Sequence, residues 1–360
     1  MFPSAGRGPL RLRAAVVAAA IAAAMLPRPP AFIERAYAGG LYPRLQAALT
    51  SASNVVPIAL FDVAIVAAAV LVAWWGRQAW RARRHSGVGR AAAGLAMRMA
   101  VLVSAGYLWF LFAWGLNYAR PPIEVRLGLA PGLPTSDDVR RLLDEAVTAV
   151  NDGFRPAGAS RDGGYRAEDD VARRLAALDR RYGRPRPTAP GRPKPTLLAT
   201  YFRLAGVEGL TAPVALETLL NPDLLAPERP FTLAHEWAHL SGHAPEADAN
   251  FVAWQLTTAP DADPATRYSG WLFLLGEAAA QVAPETRRAA MAALAAGPRQ
   301  DLADIARRQQ QRVAAVQRAG WRVYDAYLKS QGVGEGVRSY SRVVELIVRA
   351  RKAGGGGVPQ

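Results

Sequence analysis

Apolar and polar positions divide the chain into an apolar N-terminal third and a longer remainder in which apolar residues recur at helical spacing. The run 55–75, VVPIALFDVAIVAAAVLVAWW, is nearly free of charge and has the length of about 20 residues that a helix needs to cross hydrocarbon. A second such run covers 95–116. Arg98 lies near one end, where its long side chain can snorkel, and Tyr107, Trp109, Trp114 and Tyr118 lie towards the other, as interfacial aromatics do. An earlier run, 14–26, is shorter and stops at PRPP. Extended past Arg11 and Arg13 it reads as a short or tilted span. The alternative is the core of a signal peptide with Ala36-Tyr37-Ala38 as cleavage site, which the long charged stretch 27–38 suits poorly. The expectation is a membrane region, 1–118, with three spans at about 11–31, 55–75 and 95–116.

Residues 119–352 read as one mainly helical domain. Ser136 is expected to cap a helix that carries Asp137 and Asp138 in its first turn, and a second helix should run from about 168 to 182 and stop at Gly183. RPRPTAPGRPKP, 184–195, reads as a linker or surface loop, because proline removes donors and restricts its neighbours. Short apolar pieces between Gly and Pro, TLLATYF and LTAPVAL within 196–220, suggest a small strand region. Helices are expected near 231–241, 246–258, 265–282, 285–296, 299–318, 321–330 and 337–350, before a disordered tail, AGGGGVPQ, at 353–360. The fold class expected is mainly α, with three N-terminal transmembrane helices ahead of an α-rich domain containing a small β element.

Charge adds orientation. The chain carries a formal +15, yet lysine occurs only at Lys194, Lys329 and Lys352, and no basic stripe interleaves with aromatics, so nucleic acid is not the expected partner. Arginines cluster instead beside the apolar runs. Arg77, Arg81, Arg83, Arg84 and Arg90 between the second and third, with Arg7, Arg11 and Arg13 before the first, mark cytoplasmic ends, which puts the domain after Asn117 outside the cytoplasm. Asp62 is a carboxylate inside the second run; it is either functional or near enough to the outer end to reach the interface.

The chain has no cysteine, which excludes disulfides, thiolate ligands and a cysteine nucleophile, and it has four histidines, at 85, 235, 239 and 243. Within FTLAHEWAHLSGHAPEADANF, 231–251, His235 and His239 are one helical turn apart on one face and can share a tetrahedral zinc. Glu236 is placed to act as general base on water activated by that ion. Leu233, Trp237 and Leu240 fall on a different stripe, suited to packing, so ligand face and core face are separate. A third ligand has to come from elsewhere. His243 would lie about 12 Å along a straight helix from His235, beyond the span of one ion. Gly242 can end the helix in a left-handed cap and Pro245 can open a new one, returning Glu246 or Asp248 to the metal. Glu246 is the ligand chosen, with Asn250 on the same face to orient a ligand histidine; Asp248, which points away from both, is the reserve.

These residues, with FIERAYAGGLYP, WGLNYARPP, RPKP, PFTLAHEWAHLSG, RYSGW and VYDAYLK, resemble a bacterial membrane-protein family, domain of unknown function 3810, itself similar to zincin peptidases that use Glu as third ligand. The resemblance implies His235, His239 and Glu246 as zinc ligands and Glu236 as the catalytic carboxylate. The related peptidases carry E-x-x-A-D where this chain has Asn250, and His243 stands where an apolar residue is expected. Tyr268, Tyr324, Tyr327 and Tyr340 are available as oxyanion donors, but each reads rather as a packed helix aromatic and none is assigned to the site. The sequence therefore predicts a multi-pass protein of the bacterial inner membrane whose extracytoplasmic zincin-like domain hydrolyses peptide bonds in a peptide or protein substrate. A zinc-binding sensor or scaffold without turnover, or a zinc hydrolase of a non-peptide bond such as a cell-wall amide, are the alternatives.

Overall fold

The computed structural model describes residues 8–155, 163–330 and 342–354. The expected 353–360 tail lies outside them from residue 355 on, as does the first part of the last expected helix, 337–350.

In chain order the elements begin with helix α1 (Gly8–Met25), a single turn α2 (Pro30–Phe32) that runs into a π-helix (Ile33–Leu41), and α3 (Tyr42–Val55). Two long helices follow, α4 (Leu60–Ser86) and α5 (Val88–Ala113), packed against each other and joined at Gly87, with α1 packed on α5. Both are long and apolar enough to cross a membrane. No residue of α4 is buried, and Val63, Ile65, Val66 and Val70 face outward, the surface a lipid-facing helix presents. The first apolar run is not one straight span: it breaks after Met25 and turns by 109° into the helix ending at Val55. Pro27, Pro29 and Pro30 account for the break, since proline cannot donate to the preceding turn and restricts the residue before it. The second expected span also starts late, at Leu60, because 55 ends α3 and 56–59 form the turn out of it.

A 3-10 turn (Gly115–Ala119) and α6 (Ile123–Arg126) lead from α5 to α7 (Ser136–Gly153) and α8 (Gly163–Arg181). The cap of α7 is Thr135 rather than Ser136: its hydroxyl accepts from the Asp138 N–H while Asp138 accepts from the Thr135 N–H, a reciprocal capping box. Three short strands, β1 (Pro193–Lys194), β2 (Gly209–Ala212) and β3 (Glu217–Leu220), form a sheet of order β1-β3-β2, with β1 parallel and β2 antiparallel to β3. TLLATYF contributes no strand; it enters α9 (Ala199–Ala205), which packs Phe202 inward. A short apolar run does not tell helix from strand by period alone.

The loop expected at 184–195 is a loop only in part. Its last residues form β1, and Lys194 is fully buried against Glu217 at 2.6 Å. Glu217 also accepts from Ser53 Oγ and from the Leu60 and Phe61 N–H groups that open α4. Asp62, one residue on, accepts from Thr196 Oγ1 and the Leu197 N–H, so its carboxylate serves this joint. Leaving one partner of a buried pair uncompensated costs about 3–5 kcal/mol, so the sheet is firmly tied to the start of α4.

The remaining helices are α10 (Arg229–Leu240), α11 (Glu246–Thr257), α12 (Pro264–Ala280), α13 (Pro284–Ala292), α14 (Ala296–Gln309), α15 (Ala314–Ser330) and α16 (Val343–Ala353). α11 is buried almost all round, with Phe251 and Trp254 at its centre, as a helix without a polar face must be. α8, α10, α12 and α16 pack around it. The same core includes Ile33, Tyr37, Tyr42, Trp114 and Tyr118, so residues flanking the apolar helices are built into the domain.

Candidate metal centre

His235 and His239 sit on the inner face of α10, their rings 4.6 Å apart and nearly perpendicular. After Leu240 the helix closes on Gly242, whose φ of +85° is left-handed, and the His243 N–H returns to the Ala238 carbonyl. That reversal brings Glu246, the first residue of α11, back over α10. Its Oε2 lies 3.2 Å from His235 Nε2 and 3.6 Å from His239 Nε2, and the three potential ligand atoms all fall within 4.8 Å of one another. Two atoms each about 2.1 Å from one tetrahedral ion stand about 3.4 Å apart; the two Glu246 distances lie on either side of that figure, the spacing Glu246 would have to each histidine around a single zinc-sized ion. The sequence-derived trio is thus brought together.

Asp248 is not: its carboxylate pairs with Arg126 at 3.2 Å, and burial pushes it up to about 6 against that charge. His243 also lies outside the trio. Its Nδ1 is 3.2 Å from Arg126, and burial with Arg126, Arg120 and Arg184 nearby holds it neutral, well below the usual histidine range. Asn250 is buried, but among the described residues no hydrogen bond joins it to either histidine. The orienting contact for His239 is instead the His243 carbonyl, 2.8 Å from Nδ1, which keeps a hydrogen on Nδ1 and turns Nε2 to Glu246. His235 Nδ1 is buried and has no hydrogen-bond partner among the described residues. Tyr268 donates to Asp301 at 2.6 Å and is a packing residue. The side chains of Tyr324 and Tyr327, and the whole of Tyr340, lie outside what the structure describes.

Glu236 is buried against the sheet. Thr211 Oγ1 is 2.8 Å from its Oε2, and a Cβ on Gly209 would come within 2.4 Å of its Oε1, so only glycine lets β2 pass this close. Burial raises the Glu236 pKa, with His235 and His239 pulling it back. Such a carboxyl is displaced towards neutrality, where a general base is most effective.

The turn between the ligands is held from outside. Trp114 Nε1 donates to the His239 carbonyl at 3.1 Å, Tyr42 to that of Leu240 at 2.9 Å, Arg184 to that of Ser241, and Arg120 to that of Gly242 at 2.8 Å. Arg120 is itself fixed by a two-pronged pair with Glu34 of the π-helix. Cations and donors at the carbonyl end of α10 meet the negative end of its dipole. Sequence reasoning did not assign this clamp, nor Gly209 and Thr211; the only signal was that FIERAYAGGLYP and WGLNYARPP belong to the resembling segments.

Without metal, His239 and Glu246 share a proton. Burial alone would lower His239, but the Glu246 charge and hydrogen bond raise it to about 9. Glu246, which burial alone would raise, is held well below its usual range by His239 and by hydrogen bonds from both histidines. Because the His239 value is raised from 6.5, this pair stabilises the metal-free fold fully below about pH 6.5 and ceases to do so as pH rises through about 9. An ion on the same atoms must displace that proton. Zinc affinity, measured by competition with a chelating dye, is therefore expected to rise by about tenfold per pH unit between neutrality and pH 9 and then to level off; a flat profile would contradict this protonation scheme.

The family model described as "Protein of unknown function (DUF3810)" matches residues 37–348 of the chain. No curated protein and no solved structure matches it.

Proposed function

Since the chain belongs to the DUF3810 family, whose description names no activity, we propose from the site itself that it is a membrane-anchored, zinc-dependent metallopeptidase of zincin type. The observation that carries this reading is the convergence of His235, His239 and Glu246 on one ion-sized position beside a buried Glu236. His235, His239 and Glu246 would hold the zinc, and Glu236 would act as general base and then general acid. A bound zinc supplies a Lewis acid that polarises the scissile carbonyl and acidifies water. Glu236 would take a proton from the attacking water and pass it to the leaving amine, its carboxylate held by Thr211 Oγ1 and packed closely against β2 at Gly209. The substrate is a peptide segment. β2 ends the sheet beside α10, and an end strand can receive an extended chain through backbone hydrogen bonds.

Cleavage takes place close to the bilayer. Trp114, at the end of α5, bonds directly to the carbonyl of His239, so the ligands are one side chain away from the end of a span. The domain joins α4 and α5 at the end opposite their Arg-rich turn, so positive charge in that turn orients the domain out of the cytoplasm. A reporter that works only outside the cytoplasm is expected to be active when fused after Gln360 and inactive when fused at Gly87; the reverse pattern would put the domain inside.

The function is tested with detergent-solubilised full-length protein and a peptide library that includes juxtamembrane segments of membrane proteins. Cleavage should appear, stop with a chelator and return with zinc. Zinc-loaded protein that cleaves nothing in the library would favour a zinc-binding scaffold, and cleavage of cell-wall amides alone would favour the non-peptide hydrolase.

A further inference from the structure

At the end of the apolar helices remote from the metal centre, α1, α4 and α5 enclose a groove of about 330 Å³ lined by Arg13, Trp74, Trp75, Gln78, Arg98 and Val101. At 1.5 Å per residue these residues lie about 18–27 Å from the domain end of their helices, against a hydrocarbon thickness of about 30 Å. Two arginines therefore face one groove about 10 Å inside the far boundary of the hydrocarbon, from where their long side chains reach towards the headgroups. Arg98 bonds to Gln78 Oε1 at 2.5 Å, but a neutral amide leaves its charge uncompensated. Arg13 forms no ion pair among the described residues. The sequence closes off the other internal sources: α1 has no acidic residue, and the one carboxylate of α4 and α5 is Asp62, engaged at the opposite end with Thr196 and Leu197. Like charges in a poorly solvated groove are costly unless an anion joins them, and the adjoining leaflet supplies one within reach of both side chains, the headgroup phosphate.

We propose that the groove between α1, α4 and α5 is a binding site for an anionic phospholipid, its phosphate held between Arg13 and Arg98. Trp74 and Trp75 then pack beside the upper acyl chains, with their indole N–H groups on the side of the glycerol and ester groups. Gln78 orients Arg98 for the phosphate. The proposal requires α4 and α5 to span the bilayer and is independent of the metal chemistry.

The test titrates phosphatidylglycerol, phosphatidylcholine or inorganic phosphate into detergent-solubilised full-length protein and counts bound molecules by native mass spectrometry. Phosphatidylglycerol should be retained in preference to phosphatidylcholine, and inorganic phosphate should not displace it. A basic group near an anionic headgroup contributes about fivefold in affinity, so Arg13→Gln or Arg98→Gln should each weaken retention about fivefold and the double variant about 25-fold. The Arg13→Lys/Arg98→Lys protein, which keeps both charges, should stay within a few-fold of wild type and so separates loss of charge from loss of fold. Arg83→Gln, whose side chain stacks on Trp80 outside the groove, should bind as wild type does. Equal retention of the two lipids, unchanged phosphatidylglycerol binding in the double glutamine variant, or displacement by inorganic phosphate at matched concentration would each overturn the proposal.

Discussion

Replacing Glu236 by glutamine is expected to leave the metal bound and to remove turnover. Glutamine keeps the length and planar end of the side chain, so the contacts with Thr211 Oγ1 and with the backbone at Gly209 persist and the ligands on either side of it stay on the inner face of α10. What is lost is the basic oxygen. A positioned acid–base group contributes about 10²- to 10⁴-fold, and cleavage should fall by at least that much while zinc content and thermal stability stay close to wild type. The measurement is peptide cleavage by matched, zinc-loaded preparations of the two proteins. Undiminished cleavage by Glu236→Gln would assign the activity to another base or another protein.

How much of this was legible in the sequence depends on how local each contact is. The spacing of His235 and His239, the cap at Gly242 and the return of Glu246 all lie within twelve consecutive residues, and each follows from helix geometry or turn chemistry; the structure has them as expected. The partners of Glu236 were not legible, because Thr211 and Gly209 reach it across about 25 residues and a strand whose apolar period is too short to assign. Arg120, Arg184 and Tyr42 were hidden for the same reason: in a chain rich in arginine nothing local separates one that clamps a carbonyl from one that marks a membrane end. Lys194 looked like part of a proline-rich surface loop and proved to be the partner of a buried Glu217. The first apolar run was read by length, whereas the proline cluster at its end decides its shape. The two long helices were clear because a run of about 20 apolar residues has few other uses.

Three side chains, His235, His239 and Glu246, are proposed to hold one metal ion. Metal content by mass spectrometry on purified, folded protein tests it most directly. Wild type should carry about one zinc per chain. His239→Ala and Glu246→Ala should each abolish it, because each removes one of only three protein donors. His243→Ala should keep the metal, since the group that orients His239 is the backbone carbonyl of His243 and not its ring. Asp248→Asn should keep it too, because that carboxylate faces Arg126. Absence of metal from wild type, or loss in His243→Ala equal to that in His239→Ala, would contradict the account.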